Sequence, residues 1–196
     1  MCNVELDAVV ASGKPVDPVF VTRYQKLIGE LLYLSVNTMP EIGYVMSCLT
    51  RYMTRPTQKL GKYAKQVVRY VWGRREAKLT CCASKVKLLL TPGEFESWVD
   101  SSWADVKPSR KSTSHYILCN NGLVHRRSKV ASILTTSTTE AAVISAARCS
   151  QDVVFCRKLA NELGFTETKP TVLWEDNDGC LSLELVITEE GASISL

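Results

Sequence analysis

The chain has 196 residues, enough for one or two domains, and carries a net charge of +4 at neutral pH. Its 45% hydrophobic and 22% charged residues are ordinary for a globular protein, and no apolar run approaches the ~20 residues of a membrane helix. The first residues lack the pattern of a secretory signal, and the eight cysteines show no C-x-x-C pair. We therefore expect reduced thiols and an intracellular protein, cytoplasmic or nuclear.

The first predicted segment, residues 23–80, is helical and follows an N-terminal extension, residues 1–22. Its apolar residues recur at helix spacing in three stripes. The stripes cover residues 24–34, 42–53 and 64–71. Thr38 and Glu41 have the spacing of a capping box where the second helix would begin. Two or three short amphipathic helices are predicted, and they must pack together or against another body to bury their apolar faces.

Cations accumulate between Arg55 and Lys87, where Glu76 is the one opposing charge. The tract contains Arg55, Lys59, Lys62, Lys65, Arg69, Arg74, Arg75, Lys78, Lys85 and Lys87. Clustered cations raise the affinity for phosphates through counterion release. A solvated helix face is the more ordinary explanation of such a tract by itself, so the charge pattern alone leaves both interpretations open.

The second predicted segment, residues 95–185, alternates with the period of β-strands and contains one long helix. The predicted elements are strands at 95–100, 113–119 and 123–129, a helix from Thr138 to Leu163, a buried strand at 171–175 and a short helix at 178–185. An Asn-Gly hairpin signal joins the second and third strands, and Gly164 ends the long helix. An antiparallel meander joined to a parallel strand by a helical crossover predicts a mixed α/β (α+β) fold. Residues 186–196 form a divergent C-terminal tail.

Three carboxylates fall at positions of this outline where sites commonly form. Asp100 ends the first predicted strand, Glu140 lies in the first turn of the long helix, and Asp176 ends the fourth strand. Carboxylates that converge repel each other unless a cation neutralises them, which makes them natural Mg²⁺ ligands. Each also has a structural explanation, because Ser137 and Glu140 have capping-box spacing, Asp176 precedes a helix, and Asp100 could face solvent.

Seven blocks in chain order carry a family resemblance. They are Tyr24–Leu34, Arg51–Met53 with Pro56, Ala64–Val71, Val99–Asp105, Arg110–Ser114, Ser137–Ala141 and Glu175–Asn177. Together they resemble the end of the reverse transcriptase/ribonuclease H region of copia-type retrotransposon Pol polyproteins. The first three blocks resemble the thumb or connection region that follows the polymerase palm, and the last four resemble the ribonuclease H domain.

The resemblance implies a ribonuclease H-like domain, preceded by a small helical segment, that cuts the RNA strand of an RNA–DNA hybrid. Asp100, Glu140 and Asp176 would hold two Mg²⁺ ions, with Mn²⁺ as an alternative. The implied contacts to the sugar-phosphate backbone are Arg110, Lys111, Ser112, Thr113, Thr138, Thr139 and Asn177. In this context the cationic tract is interpreted as a hybrid-binding surface, represented by Lys62, Lys65 and Arg69.

The sequence also departs from the family pattern. Ser102 stands where the family has a second aspartate, His115 replaces a glycine, and Ala142-Val143 replaces an acidic and aromatic pair. The tail over 186–196 replaces a His-Ile-Asp-type block, so we expect a truncated region in which the fourth metal ligand is not identified. Two hypotheses follow: a retrotransposon-derived ribonuclease H with reduced activity, or an inactive remnant that binds nucleic acid or another protein.

Overall fold

The structure, a computed structural model, describes residues 17–78, 95–107, 109–165, 169–182, 184–188 and 191–195. Its described residues divide into two units by their internal contacts. The first unit contains the described residues up to 78 together with those of 105–110, and the second contains those of 80–104 and 111–196. No helix within the described ranges is long and apolar enough to cross a membrane.

The first unit is built from helices at the positions that the apolar stripes predict. Its elements are α1 (Pro18–Asn37), a 3₁₀ turn (Pro40–Ile42), α2 (Gly43–Thr50) and α3 (Gln58–Gly73). The Asp17 carboxylate caps α1 by accepting the Val19 N–H at 3.0 Å, and the Thr57 hydroxyl caps α3 by accepting the Leu60 N–H at 3.3 Å. Both predicted breaks between helices are confirmed.

One apolar core joins the helices of the first unit. Its buried members include Ile28 on α1, Met46 and Leu49 on α2, and Leu60 on α3. The predicted capping box of Thr38 and Glu41 is wrong, because the 3₁₀ turn begins without a side-chain cap. The Thr38 hydroxyl instead donates to the Leu34 carbonyl at 3.4 Å, at the end of α1.

The second unit is a four-stranded mixed sheet covered by one long helix. Its elements are β1 (Glu96–Val106), β2 (Lys111–Cys119), β3 (Leu123–Val130), α4 (Thr138–Glu162), β4 (Val172–Trp174) and α5 (Asp178–Leu181). The last two residues of β1 are counted with the first unit. The strand order is β3-β2-β1-β4, with β2 and β3 antiparallel and β4 parallel to β1. This mixed α/β architecture is the predicted one and is compatible with a ribonuclease H-like fold.

Small side chains let α4 lie close against the sheet. Ala142, Ala146 and Cys149 are buried on α4 and share a core with Tyr116 and Leu118 of β2. The helix ends before Gly164, whose φ of +87° is the left-handed conformation that glycine tolerates. The predicted helix end is therefore confirmed.

Three predictions about local structure are wrong. Asp100 lies within β1 rather than at its end, because the strand continues to Val106. The predicted buried strand is short, and its Val172 and Trp174 side chains are 46% and 52% exposed. The short helix α5 ends at Leu181 rather than at residue 185, and described residues after it form an antiparallel pair, β5 (Glu184–Thr188) and β6 (Gly191–Ser195).

Candidate active site

The pairing of β1 with β4 brings two of the predicted carboxylates to the same end of this strand pair. The last paired residues are Trp98 and Trp174, and Asp100 and Asp176 each follow two residues later. A step of two residues along a strand returns the side chain to the same face of the sheet. Trp98 and Asp100 are both exposed on β1, as this alternation requires.

The start of α4 is held against the segment that carries Asp176. The Thr139 hydroxyl donates to the Asn177 side-chain oxygen at 3.4 Å, and the same oxygen accepts the Cys180 N–H at 3.0 Å to cap α5. A Cβ at position 179 would collide with the Thr139 hydroxyl, so Gly179 permits this close approach. Glu140, the next residue after Thr139, therefore belongs to a helix end that adjoins Asp176.

Glu140 itself makes the contacts of a helix-capping residue. Its carboxylate accepts both the backbone N–H and the hydroxyl of Thr136, at 2.6 and 2.7 Å, and these two bonds lower its pKa. The Ser137 hydroxyl caps α4 by accepting the Glu140 N–H at 3.1 Å. The helix cap predicted for Ser137 and Glu140 is therefore present. The Glu140 carboxylate bonds the backbone N–H of Thr136, however, and not that of the capping residue Ser137.

Glu175 is a fourth carboxylate of this region that sequence reasoning missed. Burial raises its pKa, and the negative charges of Asp176 and Asp100 raise it further. One of its oxygens, Oε1, accepts the N–H groups of Asp176 and Asn177 at 3.2 and 3.3 Å. The other, Oε2, is buried and has no hydrogen-bond partner. The available signal was an acidic residue inside a segment predicted to be a buried strand.

The carboxylates of this region are suitable Mg²⁺ ligands, but they are not arranged as a complete metal site. Carboxylate oxygens are the ligands that Mg²⁺ prefers. The buried Oε2 of Glu175 has no hydrogen-bond partner among the described residues, and a bound cation would fill that place. However, no three His, Cys, Asp or Glu side chains in the described part of the chain stand close enough together to hold a metal ion. Glu140 is engaged with Thr136 in this conformation.

The residues near β2 that were predicted to contact nucleic acid differ in their solvent exposure. Ser112 and Thr113 are buried, and the Ser112 hydroxyl accepts the Ala104 N–H at 3.0 Å. These two hydroxyls therefore lie inside the protein and not on a binding surface. Lys111 donates to the Ser132 carbonyl at 2.7 Å, and Arg110 is exposed in the preceding turn with a φ of +55°.

The remaining predicted contacts are accessible to different degrees. Thr138 is exposed at the start of α4, whereas Thr139 and Asn177 are partly buried and bonded to each other. Lys62, Lys65 and Arg69 are exposed on α3 in the first unit. Cationic side chains on that helix are thus available to a partner in solution.

Comparison with known proteins gives homologues among transposon polyproteins. The chain is 29% identical over 177 residues to the "Retrovirus-related Pol polyprotein from transposon RE1" of Arabidopsis thaliana, which is 90% of this chain and 11% of that protein. It is 25% identical over 161 residues to the corresponding polyprotein from transposon TNT 1-94 of Nicotiana tabacum, covering 82% of this chain and 12% of that protein. It thus spans about a tenth of the length of these relatives.

A shorter relative has a different description. The chain is 26% identical over 133 residues to the "Secreted RxLR effector protein 161" of Plasmopara viticola, covering 67% of this chain and 89% of that protein. No protein-family profile matches the chain, and no solved structure matches it. The polyprotein homologues, at 25–29% identity over most of the chain, support a retrotransposon-derived protein.

Proposed function

We propose that the second unit is a Mg²⁺-dependent ribonuclease H domain that cuts the RNA strand of an RNA–DNA hybrid, and that Asp100, Glu140 and Asp176 are its metal ligands. The observation that supports this most is the pairing of β1 with β4, which brings Asp100 and Asp176 to one end of the pair, next to the start of α4. The homology to transposon Pol polyproteins agrees with an enzyme of nucleic-acid metabolism.

The carboxylates of this site would act by holding metal ions, and neighbouring residues would orient the carboxylates. A pair of bound Mg²⁺ ions would supply an activated water and stabilise the leaving oxygen during phosphate displacement. Glu175 fixes the backbone of Asp176 and Asn177 through its Oε1 atom and thereby orients the Asp176 side chain. Both hydrogen bonds from Thr136 go to Oε2 of Glu140, so they hold this carboxylate at the helix start and oppose its movement towards a metal.

On the substrate side, we propose that the exposed cations bind the sugar-phosphate backbone. Lys62, Lys65 and Arg69 on α3, with Arg110, contribute charge that attracts a phosphate chain without reading its sequence. Thr138 is the exposed hydroxyl at the start of α4. Ser112 and Thr113 have no part in this proposal because both are buried.

A second candidate function is an inactive remnant that keeps only the binding surface. The bonds that Oε2 of Glu140 accepts from Thr136 favour it, because they give this carboxylate a structural role without a metal. The two candidates make opposite predictions about catalysis and the same prediction about binding.

Cleavage of a labelled RNA–DNA hybrid in Mg²⁺ separates the two candidates. The wild type should release RNA fragments, and Asp176→Asn should cut at least about a hundredfold more slowly because a charge that stabilises the transition state is lost. Asp178→Asn, two residues further on and also exposed, is the matched control and should cut like the wild type. If the wild type does not cut at all, the ribonuclease proposal fails and the binding remnant stands.

A further inference from the structure

Helix α3 presents a continuous cationic stripe on the side opposite its buried residues. Lys62, Lys65 and Arg69 recur at intervals of three and four residues, the spacing of neighbours on one helix face. The buried residues Leu60, Ala64 and Val67 define the opposite face, and the helix contains no acidic residue. The stripe is therefore a surface that attracts a polyanion.

The stripe ends at an exposed tryptophan. Trp72, three residues after Arg69, is 69% exposed, although burial of so large an apolar ring would be favourable. The Arg75 guanidinium lies 5.0 Å from the centre of the Trp72 ring and donates a hydrogen bond to the Trp72 carbonyl at 3.1 Å. A ring ordered by a cation, at the end of a cationic stripe, is a preformed surface for another flat group.

A second aromatic ring on the same helix repeats the arrangement. Tyr70 is exposed, and the Arg74 guanidinium carbon lies 5.7 Å from its ring centre. Arg74 also contacts Glu41 at 3.6 Å, which offsets part of its charge. Arg75 is likewise paired with Glu76 at 3.6 Å, so the ion pairs do not distinguish the two rings. Trp72 is the stronger stacking position because it is more exposed than Tyr70, 69% against 44%, and its arginine lies nearer the ring.

We propose that α3 binds an unpaired strand of nucleic acid, with phosphates along Lys62, Lys65 and Arg69 and a base stacked on Trp72. This deepens the proposed function and rests on the role proposed there for the three cations. From Lys62 to Trp72 the helix rises about 15 Å, so the surface follows a strand over several nucleotides. Binding of single strands combines a cationic track with aromatic rings in this way.

The tryptophan distinguishes an unpaired strand from a duplex. Bases of a duplex are already stacked on each other, so an exposed indole gains little from them, whereas cations attract either form. The chemistry recognised is therefore a base with a free face, in RNA or DNA, with little dependence on sequence.

Fluorescence anisotropy of the full chain, without Mg²⁺, tests this inference with a labelled oligouridylate, an oligothymidylate and an RNA–DNA hybrid. Trp72→Ala should weaken binding of both single strands about fivefold or more and leave the hybrid within about twofold. Trp72→Phe should retain most of the affinity because it keeps an aromatic ring. Tyr33→Ala is the matched control, since Tyr33 on α1 is equally exposed at 69%.

The salt dependence separates stacking from charge. Lys65→Gln should lower the slope of log affinity against log salt by about 0.7 on single strands, while Trp72→Ala should leave the slope unchanged. The inference fails if Trp72→Ala binds single strands as tightly as the wild type, or if the hybrid loses as much affinity as the single strands. An unchanged slope in Lys65→Gln would count against the cationic surface of the proposed function, whereas the Trp72 variants test the stacking by itself.

Discussion

The two units bury different kinds of side chain. The first unit fills its core with large apolar residues, of which Ile28, Met46, Leu49 and Leu60 are fully buried. The second unit places small residues where α4 meets the sheet, with Ala142, Ala146, Cys149, Ser145 and Ser150 all nearly inaccessible. Small residues allow a helix to approach a sheet closely, and this approach leads the start of α4 to Asn177. The first unit thus packs helices through large side chains, whereas the second packs small side chains of α4 against larger ones such as Leu118 of the sheet.

Polar bonds supplement the apolar core of the second unit. The hydroxyls of Ser112 and Thr135 lie 2.6 Å apart in the interior, and the Asp152 carboxylate accepts from the Tyr116 hydroxyl. An unpaired buried hydroxyl costs about 1–3 kcal/mol, and the Ser145 hydroxyl on α4 is one that has no partner in the described part of the chain. The comparison therefore predicts that the first unit is sensitive to lost volume and the second to added volume.

Leu60→Ala should give the largest loss of stability. The side chain is fully buried among the helices of the first unit, and its truncation should cost about 2–5 kcal/mol in the free energy of unfolding. Urea denaturation followed by circular dichroism measures the loss. Amide hydrogen exchange should locate it between residues 18 and 73. Equal acceleration of exchange throughout α4 would contradict the assignment of separate cores.

Ala146→Leu tests the second unit in the opposite direction. The side chain is 1% exposed in the layer between α4 and the sheet, so added methyl groups must displace the helix at a cost of about 1–3 kcal/mol. The surface change Leu159→Ala on the same helix is the control and should stay within about 0.5 kcal/mol. If Ala146→Leu proved as stable as the wild type, the layer between α4 and the sheet would have room for a larger side chain and would not be tightly packed.

A smaller effect should appear at high pH. Burial raises the pKa of Tyr24 from 10.0 to about 12. A folded-state pKa above the unfolded value gives stability that is complete below pH 10 and is lost as pH rises towards the folded value. The wild type should lose about 1 kcal/mol more than Tyr24→Phe between pH 9 and 11, as measured by urea denaturation at each pH. Parallel pH profiles would show that Tyr24 does not titrate differently on folding.

Periodicity predicted most of the fold, because apolar spacing reports which face of an element is buried. It predicted the three helix stripes of the first unit, the β2–β3 hairpin and the long helix α4 from Thr138. It missed the extent of β1, because the residues of the strand after Asp100 are mostly partly buried and do not alternate between buried and exposed positions. It also missed β5 and β6, whose pairing depends on contacts that sequence spacing does not encode.

For the candidate site, the sequence predicted which helix or strand carries each carboxylate but not the contacts of the side chains. Sequence placed Glu140 correctly in the first turn of its helix and offered capping as the alternative, but it could not decide which atoms its carboxylate bonds. Glu175 was not predicted as a site residue, because a single acidic residue at the end of an apolar segment has no spacing that distinguishes a functional carboxylate from a structural one. Its interaction with Asp100 arises only when β4 pairs with β1.

Equilibrium binding of Mn²⁺, measured by the electron paramagnetic resonance of the free ion, tests most directly whether the carboxylates share a metal. Asp100→Asn and Asp176→Asn should each weaken binding about tenfold or more, while the control Asp178→Asn leaves it unchanged. The double variant should lose less than the sum of the two free energies, because both carboxylates hold the same ion. Wild-type protein that binds no Mn²⁺, or single variants that bind it like Asp178→Asn, would contradict the proposed metal site.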